Sequence, residues 1–183
     1  QCTVKPQAWT FMEKLGYQAT VTAGAGEPVT LARELTDDGD DWERKVAELH
    51  RELGIPAEYG VRYRLRMIPE NPDCISIGLD IFDRDVRLDK ATADAWKSMK
   101  TDAQRSNIEL QLVSGFRTVS YQAGLIRKKL EANKSMGRIL RASAAPGYSE
   151  HHTGYAIDIG DATQPGTHLQ EEFGDTEAFE WLE

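Results

Sequence analysis

The sequence predicts an α+β fold, a small antiparallel sheet flanked by helices with a helical N-terminal extension. Three observations lead there. Cys74–Ile81 and Ile108–Leu112 read as strands, and Ile108-Glu109-Leu110-Gln111-Leu112 alternates with period two, the mark of a half-buried strand. Helical patterns follow Asp89 and Thr118, each a residue suited to a helix N-cap. Strands and helices interleave, but without the strict rhythm of repeated βαβ units.

Taken in order, Phe11–Leu15 reads as a short helix, Ala23–Gly26 with Pro28 as a loop, and Asp37–Asp41 as an acidic turn. From Trp42 the apolar residues Val46, Leu49 and Leu53 recur at helical spacing until Gly54 and Pro56 stop them. Residues 1–60 are therefore expected to be an extension packed on the core, and residues 61–183 the main domain. Val61–Ile68 alternates weakly and reads as a strand, broken by Pro69 and Pro72. After Asp89, Ala95, Met99 and Ala103 share a helix face, with Trp96 beside them. Ser114-Gly115 ends the next strand, and the helix from Thr118 carries Tyr121, Leu125 and Ile126. Pro146-Gly147 is a turn and Tyr155–Ile159 a short strand. Thr176 opens a last helix with Ala178, Trp181 and Leu182 on one face.

Composition narrows the function. Hydrophobic residues at 40% and charged residues at 28% are a globular balance, and 183 residues suffice for one core. Lys plus Arg is 22 against Asp plus Glu at 30, a net charge of −8 that argues against a nucleic-acid partner. The densest basic cluster, Arg127-Lys128-Lys129 with Lys134, Arg138 and Arg141, reads as a solvated helix face. No apolar run reaches the ~18 residues of a membrane span. Cys2 and Cys74 match no metal spacing; they can pair as a disulfide or stay as thiols, and Cys2 is also compatible with a lipidated terminus.

The chemistry concentrates in Ser149-Glu150-His151-His152-Thr153-Gly154-Tyr155-Ala156-Ile157-Asp158. His151 and Asp158 are types that bind zinc, but their odd offset would place them on opposite faces of a straight strand. They converge only if the chain bends, and Gly154 tolerates a bend. On spacing alone the pair reads as an edge strand with a solvated carboxylate and two loop histidines.

The surrounding residues reverse that reading. S-x-H-x-x-x-G-x-A-x-D follows Ala145-Pro146-Gly147, and upstream stands Ser114-Gly115-Phe116-Arg117 with Gln122 five positions after the arginine. Together these residues resemble the VanY-like D-alanyl-D-alanine carboxypeptidases, within the wider zinc-peptidase group of lysostaphin-type enzymes and the hedgehog N-terminal domain. The resemblance covers about residues 75–183. It implies a zinc site in a cleft on the sheet, with His151 and Asp158 as ligands. It implies that Arg117 stabilises the scissile carbonyl or the substrate carboxylate, and that Gln122, Ser149 and Ser114 bind the terminal D-alanine. His152 is read as a neighbour. Arg117 precedes the helix begun at Thr118, where backbone N–H groups favour an anion, and its planar fork suits a carboxylate or oxyanion.

The family completes its site with a later Glu-x-x-His-like segment, which supplies a general base and a third ligand. No such segment precedes Glu183. His168 lacks the flanking residues and is not expected to ligate, and His50 is expected at the surface. The last helix reaches Glu183 without a C-cap, so the expectation is a longer enzyme shown in part, the alternative a degenerate relative. Two ligands alone predict weak zinc affinity. The expected function is zinc-dependent release of terminal D-alanine from peptidoglycan stem peptides. A peptidoglycan endopeptidase is disfavoured by the Arg-to-Gln spacing, and a non-catalytic peptidoglycan or zinc binder is the other alternative. A calcium-binding hedgehog-like signalling domain finds no support in the acidic residues. The expected setting is the periplasm or cell envelope, with the export signal outside this chain and the protein a monomer.

Overall fold

The computed structural model describes residues 37–183, with side chains from Asp41 onward. The expectations for Phe11–Leu15, Ala23–Gly26 and Cys2 lie outside the described residues. Helices α1 (Asp37–Leu53) and α2 (Tyr59–Tyr63) lead into strands β1 (Ile75–Leu79) and β2 (Asp85–Leu88). There follow α3 (Lys90–Arg105), β3 (Leu110–Ser114), α4 (Val119–Glu131), α5 (Met136–Ala142), β4 (Asp158–Asp161) and α6 (Glu177–Leu182). Short 3-10 turns occupy Glu150–Thr153, Pro165–Thr167 and Glu171–Asp175. The fold is α+β, as expected, but the strands form two antiparallel ribbons, β1-β2 and β3-β4. The ribbons are laced together: the Ile81 N–H donates to Leu112 O at 3.1 Å and the Phe116 N–H to Arg87 O at 2.8 Å.

Asp89 caps α3 by accepting from the Ala91 N–H, and the stripe Ala93, Trp96, Met99 and Ala103 turns inward. It packs on Leu88 of β2 and Leu110 of β3 in one apolar cluster that Ala178 of α6 completes. Ala95 sits at the edge of this stripe, half-buried, because the buried positions advance by three and four from Ala93. A second cluster joins Leu53 and Ile55 to Ala123, Ile126 and Ile139, so α1 lies against α4, and α5 packs on α4. None of the described helices is long and apolar enough to cross a membrane.

Several local expectations are corrected. Asp37–Asp41 is the first part of α1 rather than a turn. Val61–Ile68 is not a strand: α2 ends at Tyr63 and Arg64 takes a left-handed conformation (φ 54°), leaving Val61, Tyr63 and Leu65 exposed with no partner strand. β3 starts at Leu110 and is buried through Ser114 apart from Gln111, because both its faces are covered. Tyr155–Ile157 is irregular and β4 begins at Asp158, since Gly154 (φ 74°) closes a 3-10 turn just before it. His50 is buried, not at the surface. It lies on the Val46–Leu53 stripe, one helical turn from Val46, with Nε2 2.7 Å from Pro146 O. The basic cluster is solvated apart from Lys129, which is half-buried with Nζ on the Ser143 hydroxyl.

Candidate active site

Position along the β3-β4 ribbon sets the geometry. Leu112 pairs with Ile159 but Ser114 pairs with Asp158, an irregularity that puts the extra residue on β3 and the Asp158 carboxylate beside the β3 exit. There the chain turns through Gly115 into α4. A side chain at 115 would come within 2.6 Å of Val86 Cγ1 and 2.9 Å of Arg87 O, so only glycine lets the turn lie against β2.

His151 and Asp158 do converge, and the bend is at Gly154. His151 Nδ1 lies 2.7 Å from Gly115 O. A carbonyl only accepts, so Nδ1 carries a hydrogen, and in the neutral ring Nε2 keeps its lone pair. Nε2 faces Asp158 Oδ2 at 3.5 Å. Arg117 Nη2 pairs with the same Oδ2, and Arg117 Nε donates to Ser114 Oγ at 2.8 Å. Ser114, Arg117, His151 and Asp158 thus form one connected group. Burial works to raise the Asp158 carboxyl, but the His151 ring when protonated and the Arg117 guanidinium outweigh it, holding the group below the usual carboxylate value.

Gln122 and Ser149 stand outside that group. Gln122 is buried with Nε2 donating to Ala144 O at 2.8 Å, while its Oε1 is buried without a partner. Ser149 is buried and precedes the Glu150–Thr153 turn, which its hydroxyl does not cap. His168 is turned away, with Nε2 2.9 Å from Asp161 O.

Three contributions escaped the sequence reading. His152, fully buried, accepts from the Gly147 N–H at Nε2 (3.1 Å) and places Nδ1 2.6 Å from Arg117 O. Because Nε2 accepts, Nδ1 carries the hydrogen. Burial pushes this imidazole below its ordinary value, against the opposing pull of its Arg117 carbonyl partner. Glu70 Oε1 accepts from the Val119 N–H at 2.6 Å, and Thr118 Oγ1 accepts from the Tyr121 N–H at 3.0 Å. The N-terminus of α4, expected to favour a bound anion, is thereby occupied by the protein's own acceptors, and the guanidinium remains as the anion-seeking group. Asn71 ties the same segment down, its N–H donating to His152 O at 2.8 Å. The adjacent second histidine was the only signal for His152; nothing near Glu70 marks it.

His151 Nε2 and Asp158 Oδ2 are two electron-pair donors aimed at one space, an arrangement a cation satisfies. Among the described residues, no group of three His, Cys, Asp or Glu side chains comes together. The two residues fit two of the three protein positions of a catalytic zinc.

A histidine and an aspartate thus converge beside an arginine on an α+β frame. Residues 85–183 match the family model VanY, D-alanyl-D-alanine carboxypeptidase, and the chain belongs to that family. It is 36% identical over 94 residues to a Bacillus subtilis (strain 168) protein named as a carboxypeptidase, YodJ, covering 51% of this chain and 34% of that one. Among solved structures it is similar to the LdcB LD-carboxypeptidase, with a TM-score of 0.52 and 32% identity, covering 62% of this chain and 54% of that one. A zinc complex of the vancomycin-resistance D,D-pentapeptidase VanY is similar at a TM-score of 0.45 and 22% identity, covering 64% and 65%. The chain thus spans about a third of the curated relative and about half of the LD-carboxypeptidase.

Proposed function

We propose that the protein is a zinc-dependent carboxypeptidase that removes the terminal D-alanine from peptidoglycan stem peptides in the cell envelope. The observation that carries this reading is the convergence of His151 Nε2 and Asp158 Oδ2 at 3.5 Å beside the Arg117 guanidinium. Membership of the family and the carboxypeptidase names of two relatives support exopeptidase over endopeptidase action.

His151 and Asp158 would hold the metal, together with a ligand from outside the described residues. Zinc bound there supplies Lewis acidity, polarising a carbonyl and making a water acidic enough to act as a nucleophile near neutral pH. Gly115 O fixes the His151 ring so that Nε2 is the ligating atom. Arg117 offers a forked donor for the substrate's carboxylate or for the oxyanion that develops at the scissile carbonyl. Ser114 Oγ sets the direction of that fork. Gln122, with Nε2 held by Ala144 O and Oε1 buried without a partner, and Ser149, whose hydroxyl lies beside the turn that carries His151, would line the substrate side.

The test is D-alanine release by the full-length protein from penta- and tetrapeptide stems, with zinc and with EDTA. Release from one or both that EDTA stops is the expected result, and the preferred stem decides between D,D and L,D specificity. If zinc-loaded protein releases none, or EDTA leaves cleavage unchanged, the proposal falls.

A further inference from the structure

We infer that Arg117 is an internal competitor for the metal, and that through it metal binding and anion binding are coupled. The inference rests on the zinc reading above. Asp158 Oδ2 is paired with Arg117 Nη2 and stands 3.5 Å from His151 Nε2. Oδ2 is the Asp158 oxygen that faces His151 Nε2, so a zinc ion about 2 Å from both of these atoms shares it with the guanidinium. The guanidinium and the metal are both cations, so one oxygen cannot serve the two at full strength. The contact is also poorly screened, since the two side chains are only 16% and 24% exposed.

Arg117 cannot withdraw by moving its backbone. Its N–H donates to His151 O at 3.1 Å and its carbonyl lies 2.6 Å from His152 Nδ1. Only the side chain is free to swing, and the Nε–Ser114 Oγ bond of 2.8 Å resists that. A metal on Oδ2 therefore competes with the guanidinium for Asp158. An anionic ligand that captures the displaced guanidinium then stabilises the metal-bound arrangement. Linkage makes the effect reciprocal: the anion tightens the metal by the factor by which the metal tightens the anion. A substrate carboxylate is the natural occupant, so the arginine reports metal loading to the substrate pocket.

Zinc affinity, read by competition with a chromophoric chelator, tests this without any turnover. Arg117→Gln removes the competing charge and is expected to bind zinc about ten-fold or more tighter than the parent, the scale of one hydrogen bond to a charged group. Arg117→Lys, which keeps the charge, shows a smaller gain. In an Asp158→Asn background the Arg117→Gln gain disappears, because the contested carboxylate charge is gone. D-alanine added to the parent tightens zinc, and added to Arg117→Gln it does not. Circular dichroism of each variant checks that it is folded, and Ser114→Ala, which frees the fork without touching its charge, gives an independent small gain. Equal or weaker zinc binding by folded Arg117→Gln overturns the competition alone. Failure of both the parent and Arg117→Gln to bind zinc overturns the metal-site reading with it.

Discussion

Removing the His152 side chain should cost more stability than removing either proposed ligand, because both of its ring nitrogens serve backbone groups. The ring is fully buried and joins two backbone groups, the Gly147 N–H at 3.1 Å and the Arg117 carbonyl at 2.6 Å. His152→Ala strands one donor and one acceptor away from water, each worth about 1–3 kcal/mol, and leaves a cavity besides. The sum is about 3–5 kcal/mol, or a fall of roughly 6–20 °C in Tm for a chain of this size. His152→Gln keeps an amide that can donate and accept, and should lose less than half as much. Urea and thermal unfolding in EDTA, followed by circular dichroism, supply the measurement. A loss below about 1 kcal/mol for Ala, or no advantage of Gln over Ala, refutes the clamp. The pH dependence gives a second reading. Burial holds the folded imidazole below its ordinary 6.5, so the unfolded chain binds more protons between the two values. Stability from this group is complete above 6.5 and drains as pH falls through the folded value, by at most about 1.4 kcal/mol per pH unit. His152→Gln should flatten that slope.

Three further outcomes are expected. Gly154→Ala forces a side chain into φ 74° with its Cβ against Cys74 Sγ and 2.9 Å from the Asp89 nitrogen, and should cost about 2–5 kcal/mol in urea unfolding while abolishing zinc binding. Glu70→Gln should cost about 0.5–1 kcal/mol by removing the anionic acceptor at the start of α4, and Glu70→Ala about 1–2 kcal/mol, both measured by denaturant midpoint. Asp158 is held below its ordinary 3.8, so its stabilising contribution is complete above that value and is lost as pH falls through the folded one; acid titration of Asp158→Asn should lack that part of the transition.

The legible parts of the molecule were those in which a local pattern and its tertiary setting agree. The N-caps at Asp89 and Thr118 were readable because a side-chain oxygen and the following N–H groups are close in sequence. The bend at Gly154 was readable because His151 and Asp158 could meet in no other way. What sequence hid was long-range. Val61–Ile68 alternates like a strand, yet no strand lies beside it to pair, and pairing rather than alternation makes a strand. His50 looked like a helix-surface residue because the Pro146 carbonyl that satisfies it comes from the far end of the chain. Of the candidate site, the convergence of Ser114, Arg117, His151 and Asp158 followed from linked motifs. The supports, Gly115 O, Glu70 and His152, did not, because a backbone carbonyl has no signature and Glu70 reaches α4 from another element.

Those supports explain why the site needs so few side chains to be rigid. The Arg117 backbone is held at its nitrogen by His151 O and at its carbonyl by the His152 ring. The next helix is fastened through Glu70 to the segment that also hydrogen-bonds His152 O. The turn bearing His151 and the arginine loop therefore cannot move apart without breaking bonds in both directions. Such cross-bracing leaves the guanidinium only rotations of its own side chain, and Ser114 at Nε and Asp158 at Nη2 together hold it. On the proposed function, an arginine that meets the substrate's carboxylate or the developing oxyanion has to be held in position, since a misplacement of about 1 Å can cost about 10²-fold in rate. The loss of a remote brace such as Glu70 should then weaken substrate binding more than overall stability, a split that KM against denaturant midpoint separates.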